Sequence, residues 1–295
     1  MNKYELIKNK YGYYEISNKP TADDLAEYYT KKYYQNGQGE YDAAGKYTDE
    51  EVLYFHNKIE QKYIASIEVC PDLLKSNKAF LDIGAGEGWA LSYFSKKGWQ
   101  CLGMDFSDYG CANNNPDQIT NLLLGDIYSN LLSLCENQRK FDIVLIDNVL
   151  EHVIDPLQVL KNIRSLVAEN GVLIIEVPND FSVIQNELFE KKYVADRYWV
   201  AYPDHLSYFN KQGLQSLVAD AGWKVKKIFS AYPIDFNLFN ENTNYIVNRD
   251  VGKSCHHSRV AIENILHSVS VEKTIKLYEA MAEMGLGRDI IMIMS

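Results

Sequence analysis

The chain has 295 residues, 46% apolar and 24% charged, a globular composition long enough for one elaborated domain or two small ones and one that excludes global disorder. Its 40 acidic and 30 basic side chains give a formal net charge of -10, and no Lys/Arg block is long enough to track phosphates, so nucleic acid is disfavoured as the main ligand. The five cysteines are scattered and never spaced C-x-x-C, and no apolar run reaches the roughly 18 residues of a membrane span, so a cytoplasmic protein without disulfides, structural zinc, signal peptide or membrane segment is expected.

Residues 1–74 form a first zone, in which YGYYEI and LAEYYTKKYYQNGQGEY are followed by helix-like DEEVLYFHNKIEQKYIASI. It is predicted as a helical, aromatic extension over the ligand site, with Tyr33, Tyr34 and the QNGQG turn closing on the ligand; the plainer alternative is an extra helical layer packed on the sheet. Residues 75–295 then present short apolar runs, AFLDIG (79–84), CLGMDF (101–106), NLLLGD (121–126), FDIVLID (141–147) and GVLIIEV (171–177). Such runs without alternation fit parallel strands buried on both faces. Between them WALSYFSKKG predicts a helix capped at Gly98, and PLQVLKNIRSLVAENG one that opens at Pro156 and closes at Gly171. The alternation predicts an α/β, doubly wound parallel sheet. Residues 179–209, rich in Tyr, Phe and Asp, have no clean period and are predicted as a lid. A helix over 210–222 and a strand over 223–232 follow. Residues 233–287 are predicted as a helical insertion, either a cap over the sheet edge or a dimerising arm, before a last strand in GRDIIMIM.

In such a sheet the ligand lies at the carboxyl ends of the strands. The first run ends in Gly84-Ala85-Gly86-Glu87-Gly88, where glycines allow a tight turn and a close backbone approach, and Asp105 stands 21 residues beyond Gly84, where an acid can accept both ribose hydroxyls. The dinucleotide fingerprint places a third glycine where Trp89 stands, and no Gly-Lys-Ser/Thr follows as a phosphate loop requires. Asp126, with Ile127 beside it and Phe106 across, makes an adenine-sized slot with one acceptor at its edge; a helix N-cap is the alternative for Asp126.

The series LDIGAGEG, MDFS, LLLGD, FDIVLIDNVLEHVIDP and GVLIIEVPN resembles the class I S-adenosylmethionine-dependent methyltransferases over about residues 75–230. It is most similar to the branch that includes the ubiquinone-biosynthesis O-methyltransferases and many small-molecule and sugar methyltransferases. The resemblance implies a Rossmann-like, seven-stranded, mostly parallel sheet with an antiparallel last strand, and S-adenosyl-L-methionine as cofactor. It assigns Gly84, Ala85, Gly86 and Gly88 to the methionine and ribose portion, Asp105 to the ribose, and Phe106, Asp126 and Ile127 to the adenine. Asp147 and Asn148 go beside the ammonium and the transferable methyl, and Asp82 and Tyr34 join the cofactor set.

Methyl transfer to a hydroxyl needs alignment and a base, which points to histidine. His152, expected to open the helix after the fourth strand, and His205, in YPDHLSYF, are predicted to line the acceptor site, although each could merely pair locally. Tyr33, Tyr202 and Tyr208 are expected as aromatic walls and Arg197 as a reader of an anionic acceptor, with core packing as the alternative. His256 and His257 are expected in an exposed loop, and no metal is predicted. The expected activity is O-methylation of a small molecule, a sugar or glycan-precursor hydroxyl first and a phenol or quinone second. A nicotinamide-dependent oxidoreductase and a non-catalytic S-adenosylmethionine-binding protein are the other classes, and a homodimer is the one protein assembly foreseen.

Overall fold

A computed structural model describes residues 5–21, 24–25 and 47–295. A short hairpin, β1 (Leu6–Lys8) and β2 (Tyr14–Ile16), comes first, then helix α1 (Asp49–Val69), which Thr48 and Glu51 start with a reciprocal capping box. Strand and helix then alternate through β3 (Ala79–Ile83), α2 (Trp89–Lys96), β4 (Gln100–Asp105), α3 (Tyr109–Asn114), β5 (Leu122–Leu124), α4 (Ile127–Glu136), β6 (Phe141–Asp147), α5 (Pro156–Leu166) and β7 (Val167–Pro178). The remainder holds α6 (Val183–Glu190), β8 (Ser207–Tyr208), α7 (Lys211–Asp220), β9 (Val225–Ser230), α8 (Gly252–Val269), α9 (Val271–Met284) and β10 (Asp289–Met294).

The main sheet has seven strands in the order β5-β4-β3-β6-β7-β10-β9. β3 to β7 pair in parallel, and β10 runs antiparallel to both β7 and β9. The last strand, predicted from GRDIIMIM, is antiparallel as expected and lies between β7 and β9. Alternate residues feed two cores, with Leu173, Ile175 and Val177 of β7 facing the layer of α5 and α7, and Val172 and Ile174 facing the layer of α1, α2 and α9. Burial on both faces is why these strands read as unbroken apolar runs.

Gly98 takes the left-handed conformation just past α2, as expected of a C-cap. Gly171 does not cap a helix. α5 ends at Leu166, and Gly171 sits within β7, where a Cβ would lie 2.9 Å from the Asp142 carbonyl oxygen. Close approach of β7 to β6 is what requires glycine there.

The direction of β10 decides where the site can be. Asp289, its first residue, lies opposite Pro178, the last of β7, and Ile290 lies opposite Ser230, the last of β9. Residues 179–206 and the 233–287 insertion thus rise side by side from the carboxyl edge of the sheet. They share a small core of Ile184, Leu188, Val194 and Leu238, and the Asn244 side chain donates to the Tyr193 carbonyl at 2.9 Å. Further along, the insertion packs on α1, where Asn57 donates to Asn264 at 3.0 Å.

The first described residues are strand rather than helix. β2 pairs with β8, Tyr14 opposite Tyr208, so the hairpin holds the far end of the 179–209 segment. All five cysteines are free, and no helix among the described residues is long and apolar enough to cross a membrane.

Candidate functional site

The glycine turn is built by close packing. Gly84, Gly86 and Gly88 all have positive φ, and a Cβ on Gly84 would fall 2.2 Å from Val149 and one on Gly88 2.8 Å from the Cys111 sulfur. A Cβ on Gly86 would meet nothing within 4 Å, so its backbone borders open space. The amides of Gly84 and Ala85 donate to the Met104 carbonyl at 2.8 and 3.0 Å, that of Gly86 to Asp105 at 2.8 Å and that of Gly88 to the Ala85 carbonyl at 2.8 Å. What the turn offers a ligand is therefore backbone proximity rather than these four N–H groups. Trp89 stacks on Phe55 of α1 at 5.2 Å and donates to Glu87 at 2.7 Å, which ties the turn to the helix above it.

Three acids stand around this turn. Asp105 is half-buried; Oδ2 accepts from Gly86 and Oδ1 from Ser107, while burial pushes its carboxyl up against those bonds. Asp126 is the N-cap of α4, its Oδ2 accepting from the Ser129 amide at 2.8 Å, so the capping alternative is realised; Phe106 and Ile127 are half-buried. Asp82, on β3, is 3% exposed, and burial, then the charge of Asp147, pushes its carboxyl up to about 8.

A buried ion network lies next to it. Lys58 and Lys62, one turn apart on α1, reach Glu176 of β7 at 2.8 and 2.6 Å, and Lys62 also binds Asp147. Burial alone would raise the Glu176 carboxyl, but the two ammonium groups outweigh it and bring it down to about 2. Asp147, expected beside a ligand ammonium, thus already holds a cation, and Asn148, left-handed at φ 52, donates to Asp147 at 2.8 Å. Neither lysine was foreseen. The signal was present as two lysines at i and i+4 in a buried-looking helix and one glutamate inside GVLIIEV.

His152 and His205 come together. Their rings lie edge to face at 4.8 Å, in the turn between β6 and α5 and in the segment before β8, so His152 precedes the helix rather than opening it. His152 Nδ1 lies 2.7 Å from the Asp204 carbonyl oxygen and Nε2 3.8 Å from Glu151. Glu151 is 1% exposed, and burial drives its carboxyl well up. Its carbonyl accepts from the amides of Leu206 and Ser207, at 2.8 and 3.1 Å, which fixes the two histidine segments together. Glu151, His152 and His205 each offer a ligand atom within 4.8 Å of the others, the one such group among the described residues.

A methyltransferase-domain family matches residues 54–228, more than half of the chain. The chain belongs to the class I S-adenosylmethionine-dependent methyltransferases. It is 26% identical over 162 residues to a ubiquinone biosynthesis O-methyltransferase of Coxiella burnetii (strain Dugway 5J108-111), covering 54% of this chain and 65% of the relative. It is 30% identical over 99 residues to the enzyme of that name from Bradyrhizobium diazoefficiens, covering 34% of this chain and 39% of the relative. The chain thus spans at most about two thirds of these curated relatives. Among solved structures, the plantazolicin methyltransferase BpumL, in complex with a monoazolic desmethyl analogue and S-adenosylhomocysteine, superposes with a TM-score of 0.51 at 14% identity, covering 92% of this chain and 95% of that one, a likeness of fold.

S-adenosyl-L-methionine is the cofactor of this family, and the residues of the methyltransferase fit it. Open space at Gly86 and a carboxylate at Asp105 with lone pairs to spare for two hydroxyls stand at the ends of β3 and β4, and half-buried Phe106, Asp126 and Ile127 come just after β4 and β5. Of the residues expected at the acceptor, Tyr208 is fully buried and donates to the His205 carbonyl at 3.0 Å, so it supports His205. Arg197 is exposed, with its guanidinium 5.5 Å from the Phe181 ring and 5.3 Å from that of Phe189. Tyr202 is 36% exposed in the same segment. Tyr33, Tyr34 and the QNGQG turn lie outside the described residues. His256 and His257 are in α8, not in a loop, and His256 Nε2 lies 3.0 Å from Glu51.

Proposed function

We propose that the protein transfers a methyl group from S-adenosyl-L-methionine to a hydroxyl of a small molecule, a sugar or glycan precursor, with His152 or His205 as base. When bound, the cofactor supplies an electrophilic methyl on a sulfonium. The Gly84–Gly88 turn, Asp105 and the Phe106, Asp126 and Ile127 slot orient it, and the histidine pair takes the proton of the attacking hydroxyl. The observation that carries this reading is the hydrogen bond of His152 Nδ1 to the Asp204 carbonyl. A carbonyl oxygen only accepts, so Nδ1 holds a proton, and in the neutral ring Nε2 is then the nitrogen that carries the lone pair a base uses.

The net charge of -10 and the absence of a Lys/Arg block in the sequence support a small-molecule acceptor over nucleic acid or membrane, and the free cysteines support a cytoplasmic setting. The apolar side chains that α8 leaves exposed, Ile262, Ile265 and Val269, are the candidate face for a homodimer. Calorimetric titration with S-adenosylhomocysteine tests the cofactor half of the reading, and absence of binding contradicts it. A phenolic acceptor is the alternative, separated from a sugar by which of the two becomes methylated.

A second reading rests on the Glu151, His152 and His205 group, whose spacing suits a divalent cation that would polarise the hydroxyl in place of a base. A chelator discriminates between them.

A further inference from the structure

The glycine turn is tied down through the one residue in it that carries a long side chain. Glu87 stands between Gly86, whose backbone borders open space, and Gly88, which lies close against Cys111. Both of its carboxylate oxygens are engaged: Oε1 accepts from the Tyr47 hydroxyl and Oε2 from the Trp89 indole, each at 2.7 Å. Its carbonyl accepts from Asn115 Nδ2 at 2.8 Å, so the stretch between the two glycines is held by its side chain and its backbone together.

The two donors come from different elements and meet over α1. Tyr47 immediately precedes Thr48, the N-cap of α1, and Trp89 is the first residue of α2. Phe55, further along α1, joins them. Trp89 stacks on it at 5.2 Å with the ring planes 26° apart, and Tyr47 meets it edge to face at 5.0 Å. Tyr47 and Trp89 also meet edge to face, at 5.9 Å. Such aromatic pairs have preferred geometries, so the three rings fix where the two donors stand and the donors fix the carboxylate.

A turn with three glycines has many conformations open to it, and a ligand that must order the turn on arrival binds more weakly for doing so. Two charge-assisted hydrogen bonds to Glu87 supply that order in advance. We infer that Glu87 is a positioning residue for S-adenosyl-L-methionine: by joining Tyr47 and Trp89 it keeps the Gly86 backbone in the conformation that receives the cofactor, and it makes cofactor affinity depend on how the start of α1 is seated. The inference rests on the methyltransferase reading above and adds to it a link between α1 and the cofactor turn. Linkage runs both ways, so a bound cofactor steadies the start of α1 as much as α1 steadies the turn.

The test uses the full chain and S-adenosylhomocysteine, with the variants Tyr47→Phe, Trp89→Phe, Glu87→Gln and Glu87→Ala. The first two keep a ring and remove one donor each, and Glu87→Gln leaves an acceptor for only one of the two donors. Calorimetry should show affinity about tenfold weaker in each of these three, as loss of one charge-assisted hydrogen bond does, and weaker still in Glu87→Ala. Tyr47→Phe added to Glu87→Ala should weaken binding no further, because its partner is already gone. In the wild type, S-adenosylhomocysteine should slow amide exchange over residues 49–55, and at equal saturation in Glu87→Ala it should not. If Glu87→Ala fails to fold, the three conservative variants decide alone. A lowered Tm with unmoved affinity in Tyr47→Phe and Glu87→Gln is what a merely structural tether gives, and it overturns the inference while leaving the cofactor reading intact. So does a further loss when Tyr47→Phe joins Glu87→Ala, or protection of residues 49–55 that survives Glu87→Ala. A wild type that does not bind S-adenosylhomocysteine overturns the methyltransferase reading itself.

Discussion

His152 Nδ1 faces the Asp204 carbonyl at 2.7 Å, while its ring meets that of His205 at 4.8 Å. The backbone of the 179–209 segment thus selects the tautomer of a side chain in the β6–α5 turn. His152→Ala should lower kcat by about 10²- to 10⁴-fold, the usual share of a general base, without changing S-adenosylhomocysteine affinity. Single-turnover kinetics and calorimetry measure the two quantities, and an unchanged rate removes His152 as the base.

Addition of EDTA should leave the rate unchanged, since the base account needs no ion. Loss of activity that Mg²⁺ or Zn²⁺ restores, and that Glu151→Gln abolishes, would instead favour a cation held by Glu151, His152 and His205.

The glycine turn separates folding from binding. Gly84→Ala drives a Cβ to 2.2 Å from Val149 and should prevent correct packing. Gly86→Ala meets no atom within 4 Å, so it should fold with a strain cost of about 1–2 kcal/mol yet bind S-adenosylhomocysteine at least about tenfold more weakly. Equal affinity in a folded Gly86→Ala protein would place the cofactor elsewhere.

The buried network gives a pH-dependent prediction. Glu176 is held down to about 2, below its unfolded value of about 4.3, so its pairing contributes stability that is full above the unfolded value and is lost as pH falls through the folded one. Lys62→Met leaves carboxylates short of a partner and should cost about 3–5 kcal/mol at neutral pH. The Tm deficit of the variant, followed by circular dichroism, should shrink between about pH 5 and 2. A deficit independent of pH would show that Lys62 acts by packing alone.

The strands were legible because a parallel sheet buries both faces, and the glycine turn with Asp105 because spacing fixes them. The links that join distant segments were not. Lys58 and Lys62 meet Glu176 and Asp147 across roughly a hundred residues, and an i, i+4 lysine pair ordinarily marks a solvated helix face. β1 and β2 are three residues each and depend on β8, nearly two hundred residues later, so no local pattern announces them. Gly171 reads as a helix cap until the approach of β6 is known.

The most direct measurement is mass spectrometry of small-molecule acceptors incubated with the protein and methyl-labelled S-adenosylmethionine. The account predicts a sugar product heavier by one labelled methyl on oxygen, lost in His152→Ala. Label found only on protein or RNA, or no transfer to any acceptor by a protein that binds S-adenosylhomocysteine, would contradict it.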